Sequence, residues 1–285
     1  MSEIESVAIV GAGFMGTGIA EVVAVAGMPV IVRDVDDASL GRAGERIDSS
    51  LARAVRGGKL EAPQAAAVRE RIELTTRLES IGEADLVVEA VPENEQLKLR
   101  VMSSIAEVVS GGAIVASNTS SIPIAELAQA IPAPERVLGL HFFSPVPVMM
   151  LVEVVVALDT SQSTIDRARR FVEKLGKRPI ETKDRSGFIV NMLLVPYLMA
   201  AVRMYEEGFA SREDIDNGMK LGCGHPMGPL TLCDFIGLDV LYAVCDSLYE
   251  EFKRDEYAPP PLLKRMVASG RLGRKSGRGF YDYTS

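Results

Sequence analysis

Apolar residues fall along this chain in two textures. Up to about residue 183, short runs rich in valine, isoleucine and alanine alternate with longer amphipathic stretches. The runs at residues 6–10, Val30–Asp34, Asp85–Val91, Ala113–Ser117, Arg136–Phe142 and Leu151–Ala157 are short and strongly β-branched, and read as strands. GAGFMGTGIAEVVAVAG reads as a tight turn and a helix closing at Gly27, and a charged helix sets in from Asn94. Strands alternating with helices predict an α/β fold, a doubly wound sheet with helices on both faces. From Asp184 onward strand-like runs vanish and apolar positions recur at helical spacing, over Asn191–Gly208, Arg212–Gly222 and Leu230–Phe252. The polar stretch TKDRSG separates the textures and predicts two domains, 1–183 and an all-helical 184–285. There is no internal repeat, and APPP at Ala258–Pro261 reads as a loop between helices.

Composition narrows the class. A chain of 285 residues fits two domains, and 47% hydrophobic residues can fill two cores. A net charge of -8 gives no overall basic footprint, which argues against nucleic acid and requires a local basic site for any anionic ligand. Cys223, Cys233 and Cys245 lack metal spacing and are expected to be reduced and buried, with no metal site. MSEIESVAIV runs straight into a strand without a basic amphipathic leader, and no apolar run reaches membrane-spanning length, so a soluble cytoplasmic protein is expected.

Gly11, Gly13, Phe14, Met15 and Gly16 belong to a G-x-G-x-x-G turn directly after the first strand. The first glycine allows the turn, the second lets backbone approach a pyrophosphate, and the third brings helix and strand together; the helix N-terminus then faces the phosphates. Asp34 ends the second strand where a carboxylate holds the adenosine ribose hydroxyls. It would repel a 2′-phosphate, so NAD is expected over NADP, with Arg33 able to soften that repulsion. The domain is therefore expected to be a Rossmann-type dinucleotide binder.

Substrate chemistry must come from polar residues at the ends of later strands. These are Glu93, SNTSS (Ser117–Ser121) and His141, with Glu153 set among valines in the following strand. A glutamate there is costly unless paired. The prolines of HFFSPVP can turn the chain so that the two strands lie side by side, carboxylate against imidazole. Such a couple fixes the tautomer and stabilises the imidazolium that a general base becomes when an alcohol loses hydride and proton. An unpaired histidine would more often be a structural ring. His225, in GHPMGP, reads as a capping or packing residue.

GAGFMGTGIAEV, VEAVPENEQLK, ASNTSS, HFFSPVPVMMLVEVV, DRSGFIVN, HPMGPLTLCDFIGLD and GRLGRKSGRGFYDY together resemble the 3-hydroxyacyl-CoA dehydrogenase family, in its order and over essentially the whole chain. The likeness is nearest to the short bacterial 3-hydroxybutyryl-CoA dehydrogenases. The resemblance implies a homodimer made through the helical domain and NAD-dependent oxidation of a short (S)-3-hydroxyacyl-CoA. It implies His141 as acid/base with Glu153 as partner, and Ser120 and Asn191 on the substrate oxygen. Glu93, Lys98, Asn118, Ser144 and Lys275 match cofactor contacts, and Ser50 a CoA contact. The family's lysine a turn beyond Ser50 is replaced by Gly57, with Arg56 and Lys59 nearby; Lys59 is carried as the substitute. Ser144 stands where the family commonly has asparagine and loses reach. These two departures keep open a hydroxyacyl group tethered to a carrier protein, such as glyceryl-carrier protein, as substrate. A non-catalytic NAD-binding protein of the same fold is the rival from another class.

Overall fold

The computed structural model describes residues 3–284, leaving Met1, Ser2 and Ser285 of the reading above outside it. The chain divides after Asp184 into two compact units. Asp184, which the sequence reading gives to the second domain, belongs to the first. Its carboxylate accepts the amides of Ile124 and Ala125 at 2.8 and 2.7 Å.

The first unit is built on an eight-stranded sheet: β1 (Val7–Val10), β2 (Val30–Arg33), β3 (Ile72–Thr75), β4 (Leu86–Glu89), β5 (Ile114–Ser117), β6 (Val137–Phe142), β7 (Leu151–Val156) and β8 (Arg178–Lys183). Their spatial order is β3-β2-β1-β4-β5-β6-β7-β8. Every pairing is parallel except β6 with β7. Alternate residues point to opposite faces, yet every residue of β1, β4 and β5 is buried. Both faces of the sheet centre are therefore covered, which is why these strands read as unbroken apolar runs. The helices of this unit are α1 (Phe14–Val25), α2 (Asp37–Arg56), α3 (Ala62–Glu70), α4 (Glu95–Val108), α5 (Ile124–Ala128) and α6 (Gln162–Lys174). Chain order reverses between β1 and β4, the switch point at which doubly wound sheets open a crevice beyond their strand ends.

The second unit holds α7 (Val190–Glu206), α8 (Arg212–Gly222), α9 (Pro229–Ile236), α10 (Leu238–Phe252) and α11 (Pro261–Ala268). They close on Leu198, Val202, Leu230, Leu241 and Leu248. The expected single helix over Leu230–Phe252 is two. Gly237, at φ 102°, breaks it, a backbone angle side-chain-bearing residues rarely take. Cys233 and Cys245 are buried as expected, but Cys223 is exposed, because it follows the last turn of α8. His225 packs as read: Nδ1 lies 3.2 Å from the Tyr197 hydroxyl.

Two buried aspartates organise this unit. Asp216 accepts the amides of Leu230 and Thr231 at 2.7 and 3.0 Å, and Asp234 accepts those of Phe280 and Tyr281, both at 2.9 Å. A Cβ on Gly228 would fall 2.3 Å from Asp216, and one on Gly279 would collide with Asp234. The glycines of HPMGP and GRGFYDY thus serve close approach to these carboxylates. Among the described residues no helix is long and apolar enough to cross a membrane.

Candidate active site

The glycine turn sits at the β1 end of the switch point. Gly11 has φ 113°, and a Cβ there would lie 2.6 Å from the Ala90 carbonyl oxygen, so the turn takes only glycine. A Cβ on Gly16 would collide with the Gly11 carbonyl, whereas one on Gly13 would meet nothing within 4 Å. The second glycine therefore leaves open space beside α1, whose N-terminus has no side-chain cap and no acidic residue in its first turn. Phe14, 61% exposed, and Met15 begin that helix. Asp34, just beyond β2, accepts the Ala12 amide at 2.7 Å and so fixes its carboxylate against the turn. Unpaired helix-start amides, room for a diphosphate and a carboxylate at the second strand fit a dinucleotide.

At the other strand ends three loops converge through hydrogen bonds. Register pairs His141 with Glu153 across the antiparallel β6–β7 ladder, and Nδ1 lies 2.7 Å from Glu153 Oε2. His141 is 4% exposed and Glu153 fully buried. A carboxylate at that distance orients the imidazole and turns Nε2 away from it. Ser120 Oγ lies 3.1 Å from that Nε2. Asn118 accepts the Phe142 amide at 2.9 Å and ties the end of β5 to the end of β6. Ser144 is exposed in the loop after β6.

Glu93 and Lys98 are bonded to neighbouring groups of the protein, Lys98 buried and Glu93 partly exposed. Lys98, 1% exposed, donates to Glu89 at 2.7 and 2.9 Å and lies 3.3 Å from Glu93. Glu89 was absent from the sequence reading; it is fully buried at the end of β4 and also accepts the Ser117 hydroxyl at 2.6 Å. Glu93 accepts the Thr119 hydroxyl at 2.5 Å and the Ser120 amide at 2.9 Å, so it shapes the turn that presents Ser120. Desolvation pushes its carboxyl up, but the Lys98 ammonium and the Thr119 and Ser120 bonds outweigh that and hold it below the usual range.

Ser50 and Lys59 both line a cavity of about 820 Å³ between α1, α2 and the loop after β6. Arg42, Arg46 and Arg53 line it too. Those arginines were missed in the sequence, although the spacing 42, 46, 50, 53 puts them with Ser50 on one helix face. Gly57 is the C-cap of α2. Glu21, 5% exposed, also borders the cavity; burial pushes its carboxyl up, and Ser50 and Arg53 offset this only in part. In the second unit, Asn191 lies half-buried in the first turn of α7, and Lys275 pairs with Asp239 at 2.5 Å.

Comparison with known proteins gives a family for this arrangement. The family model described as 3-hydroxyacyl-CoA dehydrogenase, NAD binding domain, matches residues 6–185, and that of the 3-hydroxyacyl-CoA dehydrogenase C-terminal domain matches residues 187–283. A 3-hydroxybutyryl-CoA dehydrogenase of Mycobacterium tuberculosis is 49% identical over 98% of this chain and 99% of its own. The crystal structure of M. tuberculosis FadB2 superposes with a TM-score of 0.98 at 48% identity, over 99% of this chain and 100% of that one. The (S)-3-hydroxybutyryl-CoA dehydrogenase PaaH1 of Ralstonia eutropha gives 0.94 at 44% identity, over 99% and 100%.

Proposed function

The chain belongs to the 3-hydroxyacyl-CoA dehydrogenase family, and on that premise we propose that it oxidises the 3-hydroxyl of a short (S)-3-hydroxyacyl-CoA, (S)-3-hydroxybutyryl-CoA first among them, reversibly to the 3-oxo thioester with NAD. One observation carries the reading: an imidazole whose Nδ1 is held by a buried glutamate while Nε2 meets a hydroxyl at a strand end. The chemistry a bound nicotinamide supplies is acceptance of the hydride from substrate C3. His141 Nε2 takes the hydroxyl proton, and Glu153 stabilises the imidazolium that results. Ser120, 3.1 Å from that nitrogen, is assigned together with Asn191 to steadying the oxygen at C3. Lys98 and Glu93 act by holding the Ser120 turn, in addition to the cofactor contacts assigned to them with Asn118, Ser144 and Lys275.

Asp34 supports NAD over NADP by like-charge repulsion of a 2′-phosphate. The basic cavity wall supports CoA: three arginines and Lys59 supply the charge missing at Gly57. A homodimer through the second unit is favoured by its exposed Leu193, Phe209 and Leu221, 73%, 78% and 84% accessible. The three unpaired thiols suit a reducing cytoplasm.

The test is NADH oxidation with acetoacetyl-CoA, beside a carrier-protein thioester and NADPH. Rapid turnover of the CoA thioester is expected, with NADH preferred about tenfold or more. Inertness across short and medium 3-oxoacyl-CoA thioesters would overturn the reading.

A further inference from the structure

The loop joining β6 to β7, residues 143–150, is short of donors. Pro145 and Pro147 contribute no amide hydrogen, and the amides of Val148 and Met149 both turn back to the Pro145 carbonyl, at 2.9 and 3.0 Å. The carbonyls of Val146 and Met149 are met by one side chain: Lys177 Nζ donates to them at 2.7 and 2.6 Å. Lys177 lies in the turn between α6 and β8 and is 7% exposed. Its partners are carbonyl oxygens rather than a carboxylate. Burying an ammonium this way is expensive, and burial pushes the Lys177 pKa down. A methionine would fill similar space without that cost, so packing alone does not account for the lysine.

The two ends of this loop are the acid/base couple. β6 enters it directly after His141 and Phe142, and β7 leaves it at Leu151, two positions before Glu153. Leu151 pairs with Arg178, the residue after Lys177. Val146 bears on α1, where a Cβ added to Gly18 would come within 2.9 Å of the valine Cβ. One ammonium thus fastens the loop to the head of β8 while the loop braces the helix that begins at the nucleotide turn.

We propose that Lys177 is a positioning residue of the active site, clasping the β6–β7 loop so that Glu153 stays on Nδ1 of His141 and Nε2 stays directed at substrate. It acts through the loop and touches no reacting atom. The inference rests on His141 being the proton acceptor.

Lys177→Met is expected to lower kcat on the order of thirtyfold, as small misplacements of a catalytic group do. The acid limb of kcat/KM for alcohol oxidation should move to lower pH, because an imidazolium loosened from its carboxylate gives up its proton more readily. A purely structural lysine would lower the melting temperature and leave that limb in place. Lys177→Arg, which keeps the donors, should recover most of the turnover. A folded Lys177→Met protein with wild-type kcat and pH limb overturns the proposal. Should it not fold, Lys177→Gln, which retains an amide donor, is expected to fall about fivefold with the limb displaced in the same direction. An unchanged profile in Lys177→Gln, or failure of both variants to fold, makes Lys177 a stability residue and overturns the proposal. Wild type inert toward acetoacetyl-CoA would instead remove the functional reading, and this inference with it.

Discussion

Two carboxylates, one in each unit, are almost equally buried and do opposite things. Glu153 in β7 is fully buried, and Asp234 in α9 is 1% exposed. Asp234 accepts from groups that do not titrate near neutrality: the amides of Phe280 and Tyr281 and, at 3.0 Å, the hydroxyl of Tyr283, whose pKa is pushed up to about 12 by burial and by Asp234 itself. Its donors stay where they are, and the result is a latch on the end of the chain. Glu153 meets an imidazole whose other nitrogen lies 3.1 Å from a serine hydroxyl at the strand end. A buried acid bonded to fixed donors builds structure. A buried acid bonded to an imidazole suits a proton acceptor, the role proposed for His141.

The sharpest way to break this contrast is to remove the ring. His141→Ala is expected to reduce acetoacetyl-CoA turnover per folded molecule by about 10³–10⁴-fold, and to lower the melting temperature as well because it strands the buried Glu153. Glu153→Gln should follow at about 10²–10³-fold, since a neutral amide does not support the imidazolium; its acid limb in alcohol oxidation should shift to lower pH. Asp234→Ala should show the reverse pattern. It leaves buried amides unpaired and costs about 2–4 kcal/mol, read as a fall in melting temperature, with turnover per folded molecule within about twofold. Loss of turnover as large as that of Glu153→Gln would erase the distinction.

Glu21 sharpens it at the small end. Its folded-state pKa lies above the ordinary 4.5, because burial disfavours the charge. The folded protein therefore binds the extra proton more readily than the unfolded chain, and the penalty is fully present above the raised value and gone below 4.5. Glu21→Gln should raise the melting temperature by about 2 °C at pH 7.5, and the gain should vanish as pH falls through that window.

What could be read from the residues follows from how burial marks a sequence. The central strands are apolar on both faces and stand out, and Glu153 was conspicuous as a charge among valines. Two prolines after His141 marked the turn that folds the strands together. β3 and β8 were missed because edge strands such as IELT and RPIETK are half-exposed and carry charge, which hides their period. Lys98 enters the sequence reading only through the family resemblance, since nothing in PENEQLK reveals Glu89 beneath it. The break at Gly237 was invisible because helical spacing continues through FIGLDVL.

The reversal of β7 has a consequence for how the molecule assembles. Each parallel pairing of neighbouring strands must await a crossover, whereas β6 and β7 close through residues 143–150 alone. Short loops cost less chain entropy and let contacts arise early. The His141–Glu153 pair is therefore encoded in one hairpin, and its amides should gain protection in pulsed hydrogen exchange ahead of the crevice around it.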